Sequence, residues 1–222
     1  MSDAGVFIKI CGLSTETTLE ATIKAGADFA GFVFFEKSPR HVDLETARRL
    51  GEQASGRIKK VAVVVDADDM QIEKIISALN PEYLQLHGQE TSQRVAALKK
   101  QFGLPIIKAI GVASSADIQA SENFKMDAEY LLLDAKPKPG AIAPGGAGAV
   151  FDWQITQGFR LDKWMLSGGL DCQNVATALH ETGAPAVDVS SGVESARGVK
   201  DCEKIIAFIR VVRALSSQGA KD

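Results

Sequence analysis

Eight short apolar runs rich in Val, Ile and Phe recur along the chain, and stretches of helical periodicity separate them. Strands buried on both faces read as such runs, and the intervening helices are the crossovers that parallel pairing requires. The runs are VFIKIC (6–11), FAGFVF (29–34), KKVAVVVD (59–66), EYLQLH (82–87), PIIKAIGV (105–112), EYLLLDA (129–135), KWMLSGG (163–169) and PAVDVSSG (185–192). Capping residues open the helical patterns at Ser14 with Glu16, Asp43, Asp69, Thr91, Ser114, Asp171 and Asp201. Between the sixth and seventh strands the start is less defined, near FDWQI. Eight strand-helix units with no break in composition predict an α/β fold, a single (βα)8 TIM barrel over residues 1–222 rather than an open sheet. An internal echo agrees: Gly12, Leu13, Ala21, Gly26 and Ala27 recur 157 positions later as Gly169, Leu170, Ala178, Gly183 and Ala184.

Composition removes several function classes. With 25 Lys plus Arg against 28 Asp plus Glu, the net charge of −3 lacks the basic surplus of a phosphate-neutralising nucleic-acid binder. No apolar run reaches the roughly 20 residues of a membrane span, and MSDAGVFIKICG does not read as a secretory signal, so the expected location is the cytoplasm. Cys11, Cys172 and Cys202 have no CxxC spacing, which argues against a disulfide framework and a zinc site.

Barrel enzymes carry their chemistry at the carboxyl ends of the strands. That rule selects Cys11, Asp66, His87, Lys108, Asp134 and Asp188. On position alone Cys11 also reads as a small buried hydrophobe, which is what most free cysteines are. Asp134 ends a run of three leucines, where a carboxylate must be paired, solvated or functional. Gly168 and Gly169, and Ser190 and Ser191 with Gly192, put small residues after the last two strands, where barrels bind phosphate. Arg40 follows strand two, and its guanidinium could clamp a carboxylate. Residues 136–150 form a Gly- and Pro-rich connection after strand six that reads as an active-site lid. Its Gly146-Ala147-Gly148 is neither a dinucleotide fingerprint nor a Walker loop, and His41, His87 and His180 show no metal spacing.

The fragments KICGL (9–13), GADFAGFVF with SPR (26–40), LQLHG (84–88), LLLDA (131–135), GGAGAVFDW (145–153), LSGGL (166–170) and DVSSGVE (188–194) together resemble the phosphoribosylanthranilate isomerases of tryptophan biosynthesis, in family order and over essentially the whole chain. The resemblance implies a cofactor-free, metal-free Amadori rearrangement of N-(5-phosphoribosyl)anthranilate, a small phosphorylated substrate. It implies a general base at Cys11, a general acid at Asp134, an anthranilate-binding Arg40, further substrate contacts at His87 and Asp188, and a phosphate site at Gly168, Gly169, Ser190 and Ser191. Two features depart from the common pattern: Ala149 follows the lid's GGxG motif, and KPKPGAIAP precedes it.

The chemistry suits these residue types. Ring opening needs an acid whose pKa an apolar strand could raise, and proton abstraction at C2′ needs a base, for which a thiol of lowered pKa could serve. Lys9 shares a strand face with Cys11 and could lower it. Two alternatives stand beside this reading: the related phosphosugar isomerase of histidine biosynthesis, and a barrel that binds a phosphorylated metabolite without turning it over.

Overall fold

The computed structural model describes residues 5–136, 151–157, 159 and 161–218. Its eight parallel strands are β1 (Phe7–Cys11), β2 (Phe29–Phe34), β3 (Lys59–Val64), β4 (Tyr83–Leu86), β5 (Ile106–Val112), β6 (Tyr130–Ala135), β7 (Trp164–Leu166) and β8 (Ala186–Val189). They pair in chain order, and β8 pairs with β1 from Phe7↔Ala186 to Ile10↔Val189, so the sheet closes into a barrel. Helices α1 (Glu16–Ala25), α2 (Leu44–Ala54), α3 (Asp69–Leu79), α4 (Ser92–Phe102), α5 (Ser115–Ser121), α6 (Val175–Thr182) and α7 (Cys202–Gln218) lie among the connections. None is long and apolar enough to cross a membrane.

The expected strands are all present, and the differences lie at their ends. The 163–169 run leaves extended structure after Leu166, because Gly168 and Gly169 take φ of 89° and 63°. The 59–66 run stops at Val64, ahead of Asp66 at φ 48°. After β8 the chain winds a 3-10 turn, Ser191–Val193, and makes an antiparallel pair, β9 (Glu194–Ala196) with β10 (Val199–Lys200), that periodicity did not announce.

Helix starts moved by one residue where two capping types compete. Thr15, not Ser14, accepts from Thr18 N, and Asp68, not Asp69, closes a capping box with Gln71. Asp171 accepts from Gln173 N and Asn174 N, but regular helix begins only at Val175. Between β6 and β7 the described residues hold a 3-10 turn, Trp153–Thr156, where the start was least defined. The proposed lid lies outside the described residues except for Lys136.

Two apolar cores follow from strand alternation. One set of positions, including Ile8, Ile10, Phe32, Leu84 and Leu133, packs outward against the helices. The alternate set, including Cys11, Phe29, Val63, Ile107, Ala109, Leu132 and Met165, fills the barrel interior. Polar side chains on the interior set must point at one another or at the mouth, and that parity decides which candidates meet.

Candidate active site

Cys11 is the last residue of β1, on the same face as Lys9, and both are buried. Lys9 is wholly enclosed, with Nζ 2.6 Å from Asp188 Oδ1 on neighbouring β8. Ser167, after β7, donates to the other oxygen of Asp188 at 3.1 Å. Gly31, opposite Cys11 on β2, makes room for the pair: a Cβ there would stand 3.1 Å from Cys11 Sγ and 3.2 Å from Lys9 Nζ.

Burial, the largest influence on Cys11, pushes its thiol above the ordinary value; Lys9 and Lys200 pull it down, and Asp188 adds to the rise. The lowered pKa anticipated from Lys9 is therefore not the net result: the cation is present, but desolvation of the thiolate outweighs it. Burial likewise opposes the charge on Lys9, yet Asp188 and Cys11 together hold the ammonium above its usual range.

Asp134 lies on β6 with interior parity. Its Oδ1 accepts from Ala135 N at 2.9 Å, and its Oδ2 lies 3.3 Å from His87 Nε2. His87 follows β4, where its backbone N donates to Val64 O at 2.9 Å. Behind it, Gln85 of β4 is fully buried and places Nε2 3.1 Å from His87 Nδ1.

Arg40 is buried after β2. Its Nε and Nη2 donate to Glu194 at 2.6 and 2.9 Å, so one edge of the fork that sequence reading reserved for a substrate already grips a protein carboxylate. Glu194 also accepts from Lys200 Nζ at 2.7 Å and Gly198 N at 3.1 Å. Burial would raise its carboxyl, but the bonds from Arg40 and Lys200 win and hold it at about 2. Lys200, lowered chiefly by burial, also reaches Ser190 O at 2.8 Å and Ser190 Oγ at 3.1 Å.

The glycine turns after β7 and β8 touch. A Cβ on Gly192 would fall 1.9 Å from Leu170 O, and one on Gly168 2.7 Å from Ala135 N. Glycine is thus required here by close approach and positive φ alone. Among the described residues, the N–H groups of Gly168, Gly169, Ser191 and Gly192 donate to no protein acceptor, and Ser190 Oγ donates to Cys11 O at 3.0 Å.

Two candidates leave the site. Lys108 has the wrong parity, since Ile107 and Ala109 occupy the interior. Its Nζ is taken by Leu86 O, Gly88 O and Glu90 at 3.4, 2.8 and 2.8 Å. Asp66 is exposed and accepts from Gln89 N at 2.7 Å, which shapes a loop. His180 is exposed on α6. Ser167, read as part of the LSGG turn, gave no sign of its bond to Asp188, and Gln85, Glu194 and Lys200 were missed by sequence reading. Parity could have found Gln85, two residues before His87, whereas the others depend on loop paths that no local pattern encodes.

The arrangement defines a (βα)8 barrel with a thiol and a carboxyl on separate strands around one mouth and paired glycine turns beside them. The family model described as N-(5'phosphoribosyl)anthranilate (PRA) isomerase matches residues 8–211, and the chain belongs to that family. The N-(5'-phosphoribosyl)anthranilate isomerase of Rhodopseudomonas palustris (strain BisB18) is 53% identical over 208 residues, covering 93% of this chain and 95% of the relative. The crystal structure of phosphoribosyl anthranilate isomerase from Thermotoga maritima superposes with a TM-score of 0.85 at 33% identity, covering 94% of this chain and 99% of that one. A phosphoribosyl anthranilate isomerase solved in complex with reduced 1-(o-carboxyphenylamino)-1-deoxyribulose 5-phosphate gives 0.81 at 32% identity, covering 94% and 99%.

Proposed function

We infer that this chain isomerises N-(5'-phosphoribosyl)anthranilate to 1-(2-carboxyphenylamino)-1-deoxyribulose 5-phosphate in tryptophan biosynthesis, with Asp134 as general acid and Cys11 as general base. The observation that carries the roles is the placement of both groups on interior parity at the carboxyl ends of β6 and β1, each with partners suited to one proton transfer.

In the first step Asp134 gives its proton to the furanose ring oxygen as the C1′–O bond breaks, leaving an iminium between C1′ and the anthranilate nitrogen. The carboxylate formed accepts from Ala135 N on one oxygen, and its other oxygen lies 3.3 Å from His87 Nε2. The thiolate of Cys11 then removes the C2′ proton, and the electron pair neutralises the iminium to give an enolamine. Return of a proton to C1′ and loss of the C2′ hydroxyl proton complete the ketone, so the net change is an isomerisation. Burial disfavours the thiolate, and Lys9 offsets part of that cost.

Arg40 supplies a buried positive charge for the anthranilate carboxylate, while Asp188, expected as a substrate contact, also holds Lys9 at 2.6 Å. The unpaired N–H groups of Gly168, Gly169, Ser191 and Gly192, with Ser190 beside them, suit a phosphate dianion. The alternative histidine-pathway substrate carries a second phosphate, and among the described residues no second pair of glycine turns favours it.

Turnover is tested by following loss of anthranilate-type substrate fluorescence on addition of protein. Inorganic phosphate should inhibit competitively. Absence of turnover would reject the activity, and noncompetitive inhibition would reject the phosphate site.

A further inference from the structure

We propose that Gln85 is a positioning residue for the acid: its amide holds His87 in the Nε2–H tautomer, so that the imidazole donates to Asp134 and does not compete for its proton. The inference rests on the reading of Asp134 as the acid.

Gln85 is a fully buried polar side chain on the interior face of β4, between Tyr83 and the mouth. Such a residue has to be hydrogen-bonded to be tolerated there. Its Nε2 meets His87 Nδ1 at 3.1 Å, while its buried Oε1 has no partner. Reversing the amide would put two N–H donors where Oε1 now stands unpartnered, and an orphaned donor is rarer in folded proteins than an under-satisfied acceptor. With the amide as placed, Nδ1 accepts. A neutral imidazole has one donor and one acceptor, so Nε2 carries the hydrogen. That nitrogen lies 3.3 Å from Asp134 Oδ2.

Both oxygens of Asp134 then face N–H donors, His87 on Oδ2 and Ala135 on Oδ1. The proton of the acid is left on a lone pair that neither donor occupies, where it can be passed to the sugar. In the opposite tautomer Nε2 would present a lone pair, accept the proton of Asp134, and stand between the acid and the ring oxygen. In the step as written the proton moves from Asp134 to the ring oxygen, and His87 neither gains nor loses one.

The charged groups beside this chain among the described residues are paired elsewhere. Lys108, on β5, binds Leu86 O and Gly88 O on either side of His87 but is paired with Glu90 at 2.8 Å. Asp66, at the end of the β3 loop, accepts from Gln89 N. Among the described residues the imidazole tautomer is thus left to Gln85 and Asp134.

Imidazole nitrogen-15 spectroscopy reads the tautomer directly. The chain has three histidines, and His41 and His180 are exposed, so His87 is assigned by the signal lost in His87→Asn. The wild type should show Nδ1 unprotonated and Nε2 protonated. Gln85→Leu, which removes the donor, should mix the tautomers and lower kcat about 10-fold. Gln85→Glu, which can only accept, should protonate Nδ1 and lower kcat about 100-fold, within the range of a disabled general acid. KM should stay within about 3-fold in both, a split that a merely structural role would not give.

An Nδ1–H pattern in the wild type would overturn the proposal, as would full kcat in Gln85→Glu with the tautomer reversed. If either variant misfolds, the wild-type spectrum still decides. If Asp134→Asn retains kcat, the acid reading fails while the tautomer stands. If Asp134→Asn collapses and the Gln85 variants do not, only the present inference fails.

Discussion

On the β8–β1–β2 side of the mouth, Lys9 faces Asp188 at 2.6 Å, and Arg40 and Lys200 share Glu194 at 2.6 and 2.7 Å. On the β4–β6 side, Asp134 is met by an imidazole and a backbone amide, with a neutral amide behind them. Full charges surround the base, and polar donors surround the acid. The difference follows the work of each group. Desolvation disfavours the thiolate of a buried thiol, and nearby cations offset part of that cost, whereas a carboxyl that must hold and then release a proton cannot sit against a permanent cation, which would keep it ionised. The network on the base side also anchors the groups assigned to the carboxylate and the phosphate, so binding and base activation share one set of ions.

The largest effects should come from removing either proton carrier. Cys11→Ala and Asp134→Asn should each lower kcat by about 10² to 10⁴ while affinity for a reduced product analogue, measured by calorimetry, changes little. If Asp134→Asn instead lost analogue affinity with modest loss of kcat, the acid side would be a binding surface and the contrast would break.

Next in size is Arg40→Ala. A hydrogen bond to a charged group contributes about 1.5 to 3 kcal/mol, or roughly 10- to 150-fold. The substrate carboxylate is present before and after ring opening, so steady-state kinetics should place this loss mainly in KM. Arg40→Lys should recover part of it. An unchanged kcat/KM in Arg40→Ala would make the arginine a structural partner of Glu194 with no contact to the substrate.

A smaller and more local effect is expected from Gly31→Ala. The added methyl would press on Cys11 Sγ, Cys11 Cα and Lys9 Nζ at 3.1, 3.2 and 3.2 Å, so kcat should fall about 10-fold, with a modest drop in melting temperature. A large loss of stability would assign Gly31 to packing.

The smallest effect separates the two sides by pH. Glu194 is depressed from 4.5 to about 2, so its contribution to stability is present above 4.5 and is lost as pH falls toward 2. Thermal melts should show wild type more stable than Glu194→Gln near neutrality, with the two curves converging in acid. Parallel curves over that range would mean that Glu194 is not held by its cations.

The strand order, the closure and the interior placement of Cys11 and Asp134 were legible because each rests on period-two alternation and on runs too apolar to be anything but buried strands. Lys108 shows where the same rule was not carried far enough, since its parity against Ile107 and Ala109 already turned it outward. The pKa of Cys11 was misjudged because charge can be read from neighbours in the chain, whereas desolvation depends on the whole barrel around it. The partnership of Arg40 with Glu194 spans 154 residues and runs through a hairpin with a bulge, which no local pattern specifies.

The ion pair between Lys9 and Asp188 also lies across the seam where the ring closes, joining groups 179 residues apart. A chain emerging from the ribosome carries its thiol from the first strand but not the carboxylate that holds the adjacent ammonium in place until the eighth has formed. The entropy of closing so long a loop grows only slowly with its length, so this last pairing is accessible, yet nothing short of it supplies the base with its setting. Until the eighth strand docks, Lys9 either stays in solvent or is enclosed without its counter-ion, so the setting of the base is complete only when the ring closes.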